Sequence, residues 1–214
     1  MFDQFDVVYV VNLPDRTDRR CEIEGQIAKW SIDEQAKVEI IDGIRPETAT
    51  PFSSVGAHGI YLCYVSILEL EKDTKRHILV LEDDCVFKRN CQQKIEGDWD
   101  IFYGGYEAAA GSKLVEADII GAHCMGFAPS VIPDLLDYLR QEYQRCAREG
   151  VVAAPIDGAI VNFRRSRPDL VAKFKKVSYQ RSSRSDIGGP SILDRAPGLA
   201  KIVRRMRNSL RAIG

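Results

Sequence analysis

Apolar residues fall along this chain in two rhythms, unbroken β-branched runs and helix-spaced stripes, and the two alternate. Val7 to Leu13 (VVYVVNL) and Ile78 to Leu81 (ILVL) show no polar alternation, which predicts strands covered on both faces, as in a parallel sheet. Pro14-Asp15 ends the first run as a turn. Ile23, Ile27 and Trp30 then share one face of a helix that Asp15 or Thr17 can cap. Val38 to Ile41 reads as a short strand leading into Asp42-Gly43 and a loop that reaches Ser54. A second helix begins at the glycines of GAHG, with Ser53 or Ser54 as cap and Ile60, Cys63, Tyr64, Ile67 and Leu68 along one face. It feeds directly into ILVL, a βαβ-like arrangement.

Beyond it, Asp98 to Tyr103 predicts a strand stopped by Gly104-Gly105, and residues 106–117 a loop over whatever lies at the strand ends. Ile119 to Ala128 follows as a glycine-interrupted strand. A helix from about Ser130 to Glu149 then places Leu135, Leu139, Tyr143 and Cys146 on one face, with Gly150 to end it. Val177 to Gln180 is a late strand. The alternation predicts one α/β domain over 1–190 and a separate tail over 191–214. In the tail, Leu199, Ile202, Val203, Met206, Leu210 and Ile213 keep helical spacing, while Lys201, Arg204, Arg205, Arg207 and Arg211 supply only positive charge. Such a helix lies on an anionic membrane surface, or docks on the domain with a solvated basic face.

Composition narrows the function classes. With 45% hydrophobic residues in 214, the chain can bury a full core. Its formal net charge of -1 gives no global attraction to nucleic acid, so any anion site must be local. The six cysteines form no C-x-x-C and sit within apolar stretches, the expectation being buried thiols in a reducing cytoplasm. No apolar run approaches the roughly 20 residues of a spanning helix. The expected location is therefore cytoplasmic, or peripheral on the inner membrane face through residues 199–213.

Candidate chemistry gathers after ILVL, where Glu82, Asp83 and Asp84 follow one another. Strand alternation would point Glu82 and Asp84 to one side and Asp83 to the other, a pairing that suits Mg²⁺ or Mn²⁺. An acidic turn that keeps a strand end solvated is the plain alternative. Arg16, Arg19 and Arg20 crowd the start of the first helix, where cations oppose the helix dipole; either a phosphate resolves the conflict or water does. Gly56 and Gly59 would admit a ligand or another backbone. His58 reads as a surface or packing residue. His123 is a core residue or a nitrogen ligand to the same cation, and Asp157 in PIDG is a helix cap or a functional carboxylate. Arg184, Ser185 and Asp186, in the polar stretch RSSRSDIGG, could bind anions or sugars.

Taken in order, VVYVVNLPDRTDRR, GAHG, VLEDD, DWDIFYGG, GAHCMGFAPS, PID and SRSDIG resemble glycosyltransferase family 25, enzymes that extend lipopolysaccharide and related glycans. The likeness runs from about Val7 to Gly188. It implies a GT-A type fold, a Rossmann-like α/β sandwich with a central mostly parallel sheet, and inversion at the transferred sugar carbon. It implies that Asp84 holds Mn²⁺ or Mg²⁺ and that Glu82 contacts the cation or the donor ribose. By the same likeness Asn12, Arg16, Arg19, Arg20, Gly56, Glu82 and Asp83 face the donor. Asp157, with Asp186 second, is the base. The chain departs from the family at Cys63-Tyr64, where Ser-His is usual. The implied activity is metal-dependent transfer of a hexose, galactose from a UDP-sugar, onto a lipopolysaccharide or other cell-surface glycan, lipid-linked in one reading. A non-catalytic sugar-nucleotide or glycan-binding relative is the alternative. A nucleotidyltransferase would carry a glycine-rich, lysine-bearing loop after the first strand, and NLPDRTDRR is not one.

Overall fold

A computed structural model of the chain describes residues 1–181. Asp186 and the basic tail, together with their expected roles, lie outside the described residues. After a short 3₁₀ turn at Phe2–Gln4 the elements run β1 (Val7–Asn12), α1 (Thr17–Lys29), β2 (Lys37–Asp42), α2 (Val55–Glu71), β3 (Ile78–Glu82), β4 (Cys85–Phe87), β5 (Ile101–Glu107), β6 (Ile120–Phe127), α3 (Ile132–Glu149), α4 (Ile156–Ser166), β7 (Ala172–Phe174) and β8 (Ser178–Gln180).

Six strands form one sheet in the order β2-β1-β3-β6-β5-β7, and a separate two-stranded ribbon pairs β4 with β8. β1 runs parallel to β2 and β3, and β5 parallel to β7; β6 alone runs against its neighbours β3 and β5. The sheet is therefore mostly parallel, as the unalternating strands predict. Its two faces are both dry. Val7, Tyr9 and Val11 from β1, with Ile78 and Val80 from β3, pack under α2, α3 and α4. Val8, Val10, Leu79 and Leu81 point the other way, onto α1 (Ile23, Ile27) and the β4–β8 ribbon (Cys85, Phe87). Each strand residue thus buries its side chain in one of two cores, and this is why polar residues are missing from VVYVV and ILVL.

Local signals account for most boundaries. The Ser54 Oγ accepts the Ala57 N–H at 3.1 Å and starts α2. Gly150, at φ 67°, ends α3 in the left-handed conformation that costs glycine least. No side chain caps α1; Arg16 occupies the cap position, so neither Asp15 nor Thr17 has the expected role. Asp18 in its first turn instead accepts bonds from the Arg16 side chain and from backbone N–H groups, which hold its carboxyl down at about 2.

Gly104-Gly105 does not stop the fifth strand, as expected from sequence; β5 continues through both glycines to Glu107. A Cβ on Gly104 would stand 2.5 Å from the Cys124 Sγ, and one on Gly105 2.0 Å from the His123 Nε2 and 2.4 Å from the Ser178 Oγ. Glycine is there because neighbouring side chains fill the space, not because the chain turns. The segment 108–119 is tied to α4: the Arg164 guanidinium donates to the Leu114 and Ala117 carbonyls, each at 3.0 Å, and Arg165 to the Glu116 carbonyl at 2.9 Å.

Candidate active site

β3 ends at Glu82, and Asp83 and Asp84 occupy the turn that follows. Strand alternation therefore does not extend to Asp84. All three carboxylates line one cleft of about 580 Å³, together with Arg19, Gly43, Ile44, Gly56, Gly59, Cys63 and Gln180. Asp83 and Asp84 both approach Arg19 of α1.

Asp83 is the most constrained of the three. Its Oδ2 accepts from the Asn12 Nδ2 at 2.8 Å and its Oδ1 from the Arg19 Nη1 at 2.8 Å. The same guanidinium nitrogen lies 3.7 Å from the Asp84 Oδ2, which also accepts from the Gln180 Nε2 at 3.2 Å. The other oxygen, Asp84 Oδ1, is buried without a hydrogen-bond partner among the described residues. Three carboxylates face one guanidinium. Burial, reinforced by the charges of Asp84, Asp83 and Asp157, pushes the Glu82 carboxyl up to about 8. Burial also pushes Asp84 up to about 6, against the pull of Arg19 and with the charge of Asp83 adding to the rise. Among the described residues the corner is short of positive charge and holds an orphaned oxygen, so a cation brought there would meet carboxylate donors.

The arginines divide. Arg19 is nearly buried and belongs to the cleft; Arg16 pairs with Asp18 at 3.0 Å and Arg20 with Glu24 at 2.8 Å, and neither lines the cleft. The conflict with the helix dipole is thus answered in each case by a carboxylate of the chain itself. Gly56 lines the cleft, whereas Gly59 serves a backbone as well: a Cβ there would stand 2.1 Å from the Ile44 carbonyl oxygen. His58 is a packing residue, bonded through its ring nitrogens to the Thr48 carbonyl at 2.9 Å and the Tyr143 hydroxyl at 3.1 Å.

His123 is buried in the wall of a second cleft of about 1030 Å³, lined also by Lys88, Tyr106, Glu107, Ile120, Gly121, Lys176, Ser178, Tyr179 and Gln180. The set Glu82, Asp84 and His123 is not brought together: among the described residues no three His, Cys, Asp or Glu side chains form a group that could hold a metal ion. Gln180 lines both clefts, which makes them neighbours. Asp157, in the first turn of α4, accepts the Gly121 N–H at 2.9 Å on one oxygen and the Gly158 N–H at 2.8 Å on the other. It is thereby held beside Gly121, which lines the second cleft, although Asp157 itself is not among the residues lining either cleft.

Sequence reasoning missed Gln180, Lys88 and Lys176. Gln180 ends a three-residue strand and Lys88 follows another, and nothing local marks either as part of a site. The departure Cys63-Tyr64 acquires a place: Cys63 lines the first cleft and its Sγ accepts the Ile44 N–H at 3.2 Å, while the Tyr64 hydroxyl donates to the Ala122 carbonyl at 2.7 Å, fully buried. All six cysteines are free, with Cys21 exposed and the others buried. No helix among the described residues is long and apolar enough to cross a membrane.

Fold and cleft together define a GT-A type Rossmann-like sandwich with an acidic corner at the carboxyl end of a central strand. No family model matches the chain, and no curated protein matches its sequence. Among solved structures it is similar to a glycosyltransferase involved in the glycosylation of the major capsid of PBCV-1, with a TM-score of 0.52 and 9% identity over 83% of this chain and 94% of that one. It also aligns with the galactosyltransferase LgtC in complex with donor and acceptor sugar analogs (TM-score 0.45, 12% identity, 78% and 72% of the two chains). A third is mouse xyloside xylosyltransferase 1 in its apo form (TM-score 0.40, 9% identity, 80% and 84%). At 9% identity the first likeness is one of fold.

Proposed function

We propose that this chain is a glycosyltransferase that takes a hexose from a nucleotide-sugar donor in the first cleft and passes it to a glycan acceptor in the second. One observation carries the reading: Glu82, Asp83 and Asp84 converge on a cleft at the end of β3, with the Asp84 Oδ1 unpartnered, in a fold shared with a glycosyltransferase. The resemblance to family 25 supplies the finer terms, a UDP-galactose donor, inversion, and a lipopolysaccharide or other cell-surface glycan as acceptor.

Glu82 and Asp84 would hold Mn²⁺ or Mg²⁺, which when bound neutralises charge building on the departing diphosphate. The chain's own residues do the rest. Arg19, fixed by Asp83, presents a cation to the donor phosphates from the start of α1, and Asn12 fixes Asp83 in turn. Gly56 at the N-terminus of α2 leaves room for the donor. In an inverting transfer a carboxylate must take the acceptor hydroxyl proton as that oxygen attacks; Asp157, oriented by two backbone amides, is proposed for this role, with Asp186 second. The tail over residues 199–213 is proposed to rest on an anionic membrane surface.

A non-catalytic binding role has one observation in its favour, since Arg19 already gives the acids a built-in counter-charge. The two readings part on turnover. Binding of UDP-, GDP- and CDP-sugars is measured with Mn²⁺ and with chelator, followed by the release of diphosphate with and without glycan acceptors. Metal-dependent binding of one donor, turnover that Asp84→Ala abolishes, and a product of inverted anomeric configuration by NMR are expected. Donor binding with no turnover on any acceptor would favour the binding module, and no donor binding would sink both.

A further inference from the structure

The two neighbouring clefts differ in charge. Around the first, three carboxylates face Arg19; among the described residues the second carries Lys88 and Lys176 against one carboxylate, Glu107. Neither lysine makes an ion pair or a side-chain hydrogen bond among the described residues. The Lys176 ammonium instead lies 5.0 Å from the centroid of the Tyr106 ring, itself part of the cleft wall. A lone surface lysine is solvated and says little. Here two unpaired lysines converge on one concave site with two tyrosines, Tyr106 and Tyr179, and the cleft is of a size that takes small ligands.

The fold shows where these groups come from. Lys88 follows β4 and Lys176 precedes β8, so the β4–β8 ribbon presents both from one side, while Gly121, bonded to Asp157, lines the same cleft. Anything held between the lysines therefore lies close to both Gln180 and the Gly121–Asp157 bond. An acidic donor corner repels an anion, and a basic cleft beside it recovers that anion and fixes its orientation. Aromatic walls meet the apolar faces of a sugar ring, and ammonium groups meet a phosphate or carboxylate on it.

We propose that the second cleft binds the acceptor and that the acceptor is an anionic saccharide whose phosphate or carboxylate pairs with Lys88 and Lys176. This rests on the transferase reading and deepens it by naming the class of acceptor.

The test measures binding to the full chain, with UDP present, of a neutral sugar (methyl β-galactoside), a phosphorylated one (galactose 6-phosphate) and a carboxylated one (galacturonate). At low salt at least one anionic sugar is expected to bind about tenfold tighter than the neutral one, and in about 0.5 M salt the advantage should largely disappear. Lys88→Gln with Lys176→Gln should abolish the preference, and Lys88→Arg with Lys176→Arg should keep it. Tighter binding of the phosphate alone names a phosphorylated glycan, and of galacturonate alone a uronic one. Equal affinity for neutral and anionic sugars, or a preference that survives the double glutamine variant, overturns the proposal. The transferase reading fails separately: if UDP does not bind at all while the lysine-dependent preference persists, the cleft is an anionic-sugar site but not an acceptor site.

Discussion

Arg19 and Asp83 stand 64 residues apart in sequence and bond at 2.8 Å in the fold, joining the first turn of α1 to the turn after β3. Their side chains retain only 11% and 8% exposure, so the pair is held largely out of water. The same guanidinium nitrogen is 3.7 Å from Asp84. One cation thus serves two of the three acids that border the first cleft.

Removing that cation should cost more than a surface ion pair would. Arg19→Ala leaves Asp83 with Asn12 as its side-chain partner and Asp84 with Gln180, both carboxylates still buried. Losing one partner of a buried pair costs about 3 kcal/mol or more. Urea melts should show that loss at neutral pH, smaller at pH 5, where Asp84 gains the proton that Glu82 already carries. Asp83→Asn in the Arg19→Ala background should recover part of it. A melt unchanged from wild type would mean that the pair is solvated in solution.

Stability should also fall toward alkaline pH in the metal-free protein. The folded-state values of Glu82 and Asp84 lie at about 8 and about 6, above the ordinary 4.5 and 3.8. For groups raised in this way the folded state binds more protons than the unfolded one. Their stabilisation is complete below the ordinary values and is lost as pH rises through the folded ones, here from about pH 3.8 to about 8. Glu71 works oppositely. Burial would raise it, but bonds from Thr74, Tyr9 and Arg76 prevail and lower it, so its contribution is lost as pH falls below the usual glutamate range. Melts in chelator across pH 4 to 9 should therefore peak on the acid side of neutrality. Mn²⁺ should flatten the alkaline limb, and a limb that metal does not move would count against Glu82 and Asp84 as its ligands.

Glu71 itself offers a control distant from the cleft. It ends α2, the helix whose first turn carries Gly56, and is fully buried. It accepts from the Tyr9 hydroxyl, from Thr74 Oγ1 at 2.6 Å, and from Arg76 at 2.6 and 3.0 Å. Glu71→Ala removes the carboxylate that three side chains donate to, leaving the buried Tyr9 hydroxyl without its acceptor, and should cost about 3 kcal/mol, read as a lower midpoint in urea. Donor affinity per folded molecule should stay at the wild-type value. A loss of affinity with little loss of stability would show that this end of α2 is coupled to the cleft.

What was legible in the sequence follows from how local each cause is. VVYVV and ILVL declare themselves because both faces of those strands are buried, and Ser54 and Gly150 mark helix ends through bonds and dihedrals within a few residues. The acidic triplet was visible for the same reason. Gly104-Gly105 misled because glycine ordinarily marks a turn, and its actual cause, the pressure of Cys124, His123 and Ser178, comes from other strands. Strands of three residues such as β4 and β7 are too short for a period to emerge. The partners Arg19–Asp83 and Gln180–Asp84 meet only through the sheet. A single sequence could name Asn12, Arg19 and Asp83 as site residues but not show that they bond to one another.

Asp157 tests whether the site is catalytic or only built. One of its oxygens holds Gly121 and the other Gly158, so its charge has a structural use whatever else it does. Asp157→Asn keeps one acceptor oxygen and turns an amide NH₂ toward one of those N–H groups, which should cost about 1–2 kcal/mol of stability. If the carboxylate also removes the acceptor proton, transfer should drop by about a hundredfold or more while the donor binds as before. The decisive comparison is at saturating donor and acceptor, with turnover corrected for the folded fraction. A structural role alone predicts near-normal turnover after that correction, because the residual molecules are correctly assembled. A base predicts a rate that no correction restores.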